Sequence, residues 1–369
     1  MGHGGAERVA ALLSNRWAED GVSVTLMPTF SGRSTMVFPV DPRVKLDFLA
    51  DRTRQNTHTP VGKIQKLWIL RKTIEEIRPD VVLSFLTNVN ITAILATYGL
   101  KVRVVVSERT YPPAYPLPAW MTWLRQRTYA QADAVVLQTE LGRAWLRESC
   151  PRAAGHVIPN PVLFPAPSSG PVHVPTNILP AERRVILAAG RLAYEKGFDI
   201  LIKAYASIAA DFPEWDLVIL GEGTERPPLE LLAHKMGLGN RVYLMGVAGN
   251  VSQWYERAEL YVLSSHFEGF PNALLEAMAH GLAVISVDCK SGPRDIVRHG
   301  ENGILVTPES GVEGLAHAME ALLLDPLERI RLAKAAREVR QRFSVEKIVQ
   351  QWNTILWPDH EKASLAPPV

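Results

Sequence analysis

Cysteine is scarce in this chain. The two present, Cys150 and Cys289, lie in opposite halves and have no spacing that suits a disulfide framework, a zinc site or a redox pair. Such usage fits a reducing compartment, and the expectation is a cytoplasmic protein. Long apolar runs are also missing, since stretches such as 81–86 and 102–106 are too short to cross a bilayer. No basic, apolar leader opens the sequence. A net charge of +2 across 369 residues does not announce a nucleic-acid partner, so any positive patch must come from uneven distribution. Nor is there a Walker lysine loop, a Gly-x-Ser-x-Gly elbow, a Cys/His cluster or an Asp-x-Asp pair. The last of these absences removes the usual sign of a metal-chelated diphosphate.

What is present is alternation. Short apolar strands at 22–27, 81–85, 102–106 and 134–137 are interleaved with helical segments. The second half continues with strands at 184–189, 217–220, 242–245, 260–263, 283–287 and 304–306. This is the pattern of doubly wound α/β domains, and the length calls for two of roughly 150 to 180 residues. A Pro/Ser-rich run from Pro159 to Pro171 reads as the linker, with the boundary near residue 165. Helical pattern returns over 311–342 and 345–357, giving domains at 1–165 and 166–343 and a terminal segment at 344–369. Gly4 and Gly5 look like the turn after a first strand, followed by a helix over 6–17, yet only three residues precede them. A parallel sheet beginning there would lack a central member, and the expectation is that the true start lies upstream.

The most informative segment contains Glu268 and Glu276. Gly269, Phe270, Pro271 and Asn272 suit a tight loop that lets backbone approach a ligand, with Pro271 opening a helix. The N–H groups of Asn272, Ala273 and Leu274 then form an anion site at the helix N-terminus. At 1.5 Å rise per residue the two glutamates stand on the order of 10 Å apart, about the span of a sugar nucleotide's diphosphate. Arg191 and Lys196 straddle a loop between Gly190 and Gly197, a second constellation. The guanidinium fork and the mobile ammonium make a clamp for a diphosphate. Gly223, ending the next strand, could bound the same pocket. The bland alternative for each is a solvated loop; their combination favours function.

In order along the chain, Gly4-Gly5-Ala6-Glu7-Arg8, Ile158-Pro159-Asn160-Pro161, Gly190-Arg191-Leu192, Glu195-Lys196-Gly197, the Glu-x7-Glu pair Glu268/Glu276, Ser291-Gly292-Pro293 and Gly300-Glu301-Asn302-Gly303 form an ordered set. The set resembles the retaining glycosyltransferases of family 4. That resemblance implies the GT-B fold, two Rossmann-like doubly wound domains facing a cleft, with the first N-terminal strand apparently missing here. It implies that Arg191 and Lys196 hold the donor diphosphate and that Glu276 binds its ribose. Glu268, with Gly269, Phe270, Asn272, Ala273 and Leu274, would hold the transferred sugar. Gly4 and Gly5 would let the first helix approach the donor, and the final helix would cross back to the N-terminal domain. No metal or other cofactor is implied. Retention would proceed by same-face substitution, the leaving phosphate helping to deprotonate the acceptor. A catalytic histidine, often present in the family's N-terminal domain, is not assignable here.

The segment 270–276 is similar to transferases that extend lipid-linked glycans from UDP-sugars of the GalNAc, galactose or glucose type. The expected partners are therefore a UDP-sugar donor and a lipid-diphosphate-linked saccharide, in assembly of a surface polysaccharide or glycoprotein glycan. Glu108 and Arg109, at the end of a strand, are candidates to touch the acceptor. Two segments suit the inner face of a membrane. The helix over 61–79 carries Lys63, Lys66, Arg71, Lys72 and Arg78, although Ile64, Leu67, Trp68, Leu70 and Ile74 could equally be its core-facing stripe. The stretch 111–127 crowds Tyr, Trp, Pro and Arg together. Competing readings are a non-catalytic partner subunit and a sugar-nucleotide epimerase on the same fold; a dinucleotide oxidoreductase is disfavoured because no Gly-x-Gly-x-x-Gly follows a strand.

Overall fold

A computed structural model describes residues 5–29, 38–52, 60–168 and 170–358, apart from the side chains of Pro60, Val61 and Lys63. The chain divides into two compact units. One comprises Met1–Asn160 with Glu346–Val369, and the other Pro161–Val345.

The first unit runs α1 (Gly5–Glu19), β1 (Thr25–Leu26), β2 (Lys45–Leu46), α2 (Leu49–Arg52), α3 (Pro60–Ile77), β3 (Val81–Phe85) and α4 (Thr87–Thr97). It continues through β4 (Arg103–Ser107), α5 (Ala119–Thr128), β5 (Ala134–Leu137), α6 (Glu140–Ser149) and β6 (Gly155–Val157). Strands β3, β4, β5 and β6 form one parallel sheet in sequence order, and β1 pairs with β2 in a separate parallel ladder. Both β1 and the edge strand β3 line an apolar cavity of about 910 Å³, together with Trp17, Leu70 and Ile74. Alternate residues of β4 and β5 (Val104, Val106, Val135 and Leu137) pack on Ile91, Ile94 and Leu146 from the helices. The two-residue strands β1 and β2 and the short β6 are mostly exposed or half-buried, and hydrophobic patterning does not reveal such pieces.

The second unit runs β7 (Arg184–Ala189), α7 (Phe198–Ile208), β8 (Trp215–Leu220), α8 (Arg226–Lys235), β9 (Val242–Gly246), α9 (Val251–Arg257) and β10 (Leu260–Leu263). Then follow α10 (Asn272–His280), β11 (Ala283–Val287), α11 (Pro293–Ile296), β12 (Ile304–Val306), α12 (Gly311–Leu324), α13 (Pro326–Ala336) and α14 (Val339–Arg342). The helical pattern over 311–342 is thus three helices. Asp325 caps the second by accepting from the Glu328 N–H at 2.9 Å, and Pro326 opens it. All six strands are parallel, in the order β12-β11-β10-β7-β8-β9. Even-numbered residues of β7, Ile186 and Ala188, join one apolar layer, and Val185 and Leu187 join the other. Both faces of the sheet are covered, as a parallel sheet requires.

The Pro/Ser-rich run does not behave as a free tether. The Val162 N–H donates to the Phe343 carbonyl at 2.8 Å, Ser252 Oγ donates to the Ala166 carbonyl at 3.0 Å, and Arg340 stacks over Phe164. The run thus belongs with the second unit, which begins at Pro161. Helix α15 (Val345–Leu356) belongs to the first unit from Glu346 onward. Its Trp352 is fully buried beside Phe85, Asn353 Oδ1 accepts from Trp17 Nε1 at 2.8 Å, and the Ile355 carbonyl accepts from Arg103 Nε at 3.0 Å.

Candidate active site

In the second unit the strand order reverses between β10 and β7. In doubly wound sheets, ligands bind outside the carboxyl ends of the strands at such a reversal. The two segments singled out in the sequence emerge there: Arg191 and Lys196 follow β7, and Glu268 through Glu276 follow β10.

The loop after β7 is folded by close contacts. Gly197 has φ +59°, and a Cβ there would stand 2.3 Å from the Ser264 carbonyl oxygen, so only glycine allows the two loops to meet. Gly223 plays the same part against the Leu192 carbonyl, which a Cβ would meet at 2.2 Å. Ser264 Oγ donates to the Lys196 carbonyl at 2.9 Å, the His266 N–H donates to the Glu195 carbonyl at 2.9 Å, and the Tyr194 and His266 rings stack. The aliphatic stem of Lys196 lies against Gly190.

The charged groups then sort themselves. Lys196 Nζ reaches Glu268 Oε1 at 2.6 Å, and Ser265 Oγ donates to the same oxygen at 2.7 Å. Glu268 is only 9% exposed, so its charge is held by two donors. Arg191 pairs with Glu195, yet its side chain is 69% exposed. Burial works against ionisation of Glu195. The Arg191 hydrogen bond, with the charges of Arg191 and Lys196, nonetheless holds its carboxyl below the ordinary range.

Pro271 precedes α10, whose first hydrogen bond runs from the Leu275 N–H to the Pro271 carbonyl. The helix itself therefore gives no acceptor to the N–H groups of its opening turn, the basis of an anion site. Side chains of Phe270 and Leu274 are buried in the core, so those residues can serve a ligand only through backbone. Ser291 Oγ donates to the Gly269 carbonyl at 3.3 Å and Gly292, at φ +95°, packs under Pro271. Glu276 sits inside α10, 6% exposed, and accepts from the Tyr255 hydroxyl at 3.2 Å. Burial, with the charges of Glu268 and Glu276 close by, pushes the Tyr261 phenol well up; burial, then Glu268, pushes the Cys289 thiol up to about 12. Cys289 is thus no thiolate nucleophile at neutral pH.

Sequence reasoning missed Ser265 and Tyr255, the donors that orient the two glutamates. Ser265 had a legible signal, its position directly after strand β10; Tyr255 had none, because it reaches Glu276 only through the packing of α9 on α10.

Glu108 and Arg109 lie in the first unit at the carboxyl end of β4, and both are buried. Glu108 accepts from Thr87 Oγ1 at 2.8 Å and from the Tyr129 hydroxyl, and burial raises its carboxyl above the ordinary range. These bonds make it an internal tie between β4 and α4 rather than a group open to solvent. Arg109 donates to Asn160 Oδ1, has no carboxylate partner among the described residues, and is pulled by burial to about 9. Its Nε and the nearby Gln138 Oε1 are buried without protein partners. Gly4 lies outside the described residues, and Gly5 is the first residue of α1.

Helix α3 corrects one expectation. Of the apolar stripe, Ile74 is buried as expected, with Thr73 beside it, but Ile64 and Trp68 are 60% and 65% exposed and do not face the core.

Comparison with known proteins bears on the family and the fold. Residues 4–161 match the glycosyl transferase 4-like domain, and residues 174–339 match glycosyl transferases group 1. An uncharacterized glycosyltransferase of Haemophilus influenzae is 26% identical over 354 residues, covering 96% of each chain. A Campylobacter jejuni GalNAc-alpha-(1->4)-GalNAc-alpha-(1->3)-diNAcBac-PP-undecaprenol alpha-1,4-N-acetyl-D-galactosaminyltransferase is 27% identical, covering 95% of this chain and 94% of its own. Anabaena Alr3699/HepE, solved in complex with UDP, superposes with a TM-score of 0.80 at 19% identity, covering 96% of each chain. The chain belongs to the glycosyltransferases that join a 4-like N-terminal domain to a group 1 C-terminal domain, and its fold is GT-B.

Proposed function

We propose that this glycosyltransferase moves a hexose or N-acetylhexosamine from a UDP-sugar to a saccharide carried on a lipid diphosphate, with retention of configuration. The observation that carries the reading is the meeting of Lys196 and Glu268 at the strand reversal, beside the N-terminus of α10. A cation, an acid and an anion-binding helix end stand together there, where a doubly wound sheet binds nucleotides. UDP as the nucleotide is supported by HepE, and the lipid-linked acceptor by the Campylobacter enzyme.

In this reading Arg191 swings from Glu195 to the donor diphosphate, and Lys196 exchanges Glu268 for a phosphate oxygen. Both then stabilise the charge that develops on departing UDP. Glu268 turns to the hydroxyls of the transferred sugar, and Glu276 takes the ribose hydroxyls. The bond from the anomeric carbon to UDP breaks as a bond to the acceptor oxygen forms on the same face. The acceptor's proton passes to the leaving diphosphate. Arg109, a buried guanidinium without an acidic partner among the described residues, is assigned to the acceptor's diphosphate, with Glu108 holding its strand end in place. A lipid-linked acceptor puts the enzyme at a membrane surface as it works.

Calorimetric titration with UDP, GDP and a panel of UDP-sugars tests the donor assignment. Preferential binding of one UDP-sugar, lost in Arg191→Ala, is the expected result. Absence of binding to any of them overturns it. UDP release that requires no acceptor would indicate an epimerase-like or hydrolytic reaction instead of transfer.

A further inference from the structure

Glu276 lies inside α10, and its Oε2 accepts from the Tyr255 hydroxyl at 3.2 Å. The same hydroxyl stands 3.3 Å from the Ala273 carbonyl, one turn earlier on α10. A glutamate side chain turns about several bonds, and presenting its oxygens to a ligand in one direction costs rotamer entropy unless a neighbour already holds them. The direction of this carboxylate therefore depends on where α9 keeps the Tyr255 ring.

Other rings keep it there. The Tyr255 centroid is 6.1 Å from that of Tyr261 on β10 and 4.9 Å from that of His280, whose plane is tilted by only 33°. His280 is itself fixed. Its Nδ1 donates to the Glu276 carbonyl at 2.8 Å, as a basic side chain at a helix end can. Its Nε2 stands 3.1 Å from Ser252 Oγ, which donates to the Ala166 carbonyl at 3.0 Å. Phe164 meets the imidazole edge to face at 4.9 Å, and the Arg340 guanidinium lies over Phe164 at 3.5 Å. Arg340 Nε in turn donates to the Ala279 carbonyl of α10 at 2.6 Å. Direct contacts thus run from residues 164 and 166, just after the second unit begins at Pro161, to the Glu276 carboxylate, all inside that unit.

Core filling does not account for these two residue types. Phe164 is 43% exposed, so its ring adds little to the core, yet it fixes the edge of the imidazole. An aliphatic side chain at 280 would pack as well as histidine. Histidine adds directional bonds, one to the backbone of Glu276 itself and one through Ser252 to the docked segment.

We propose that His280 and Phe164 are positioning residues for the ribose subsite. Phe164 braces His280, His280 braces Tyr255, and the Tyr255 hydroxyl then points the Glu276 carboxylate at the ribose hydroxyls. The inference rests on the assignment of Glu276 to the ribose. Both residues act through Tyr255 rather than by touching the nucleotide. Orienting the carboxylate is accomplished on folding instead of on binding, so losing either ring weakens only those nucleotides that carry the hydroxyls Glu276 reads.

The experiment is calorimetric titration of the full chain with UDP and with 2′,3′-dideoxy-UDP, which lacks both ribose hydroxyls. In His280→Ala and in Phe164→Ala, UDP affinity should fall roughly 3- to 10-fold, while 2′,3′-dideoxy-UDP binds as it does to wild type. His280→Ala added to Glu276→Ala should cost no further affinity, because the group it positions is gone. Equal losses for the two nucleotides, or additive losses in the double variant, are the signature of a merely structural role and overturn the proposal. Thermal melts check folding, and the half-exposed Phe164 keeps the test open should His280→Ala not fold. If Glu276→Ala loses UDP affinity and neither His280→Ala nor Phe164→Ala does, the positioning role alone is overturned. If Glu276→Ala binds UDP as wild type does, the ribose assignment falls and the positioning role falls with it.

Discussion

Lys196 Nζ and Glu268 Oε1 lie 2.6 Å apart, joining residues 72 positions apart in the sequence across the reversal of strand order in the second unit. The pair keeps the cation proposed to bind the donor's phosphate neutralised beside a largely buried carboxylate. Lys196→Ala should lower turnover about 10²- to 10³-fold, the usual loss for one group that stabilises developing charge. Glu268→Gln should lower turnover while UDP binding is kept or tightened, since Lys196 loses its competitor. Steady-state kinetics beside UDP titration separates the two, and loss of UDP binding in Glu268→Gln would remove that residue from the sugar subsite.

Glu276 differs from Glu268 in resting on the Tyr255 hydroxyl. Glu276→Ala should weaken UDP binding about 10- to 100-fold, as expected for hydrogen bonds to a charged acceptor. Tyr255→Phe should give a smaller loss in the same direction. Equal affinity in Glu276→Ala and wild type, measured calorimetrically, would remove the ribose assignment.

Two glycines set how closely the loops approach. Gly197→Ala and Gly223→Ala each drive a Cβ onto a backbone carbonyl, so the loop must shift. Both should lower Tm and donor affinity together, at a cost of about 1–3 kcal/mol. Gly239→Ala, which meets nothing within 4 Å, is the control and should leave both unchanged.

Glu259 ties β10 to its neighbours. It accepts from Arg184 Nε at 2.9 Å and from Arg329 Nη2 at 3.2 Å. The Arg184 hydrogen bond comes first among the causes that hold its carboxyl below the ordinary range. A folded value below the unfolded one means that the stabilisation is complete above the unfolded value, ~4.3, and is lost as pH falls through the folded value. Glu259→Gln should therefore lower Tm at neutral pH and flatten the acid limb of the stability profile, read by thermal melts from pH 7 downward.

Much of this protein was legible without a structure, for local reasons. The β/α alternation comes from hydrophobic period, so the strands of the second unit were placed nearly to the residue. The positions of Arg191, Lys196, Glu268 and Glu276 followed from glycine-bounded loops after apolar runs, because a ligand loop needs backbone that can turn tightly. Composition marks Pro159 to Pro171 as a linker, but composition does not report that Val162 and Phe164 dock on the second unit.

The sequence by itself determined the family and the alternation of strands and helices, since these depend on residue type and spacing along the chain. Only the tertiary structure decided which side chains meet. That Lys196 finds Glu268, and Tyr255 finds Glu276, depends on β10 lying beside β7, and strand order is not written in local periodicity. The orientation of α3 was decided in the same way. Its apolar residues at 64, 67, 68, 69, 70, 74 and 77 surround more than one face. Packing against α2 and α4 decided that Ile64 and Trp68 point outward while Ile74 is buried.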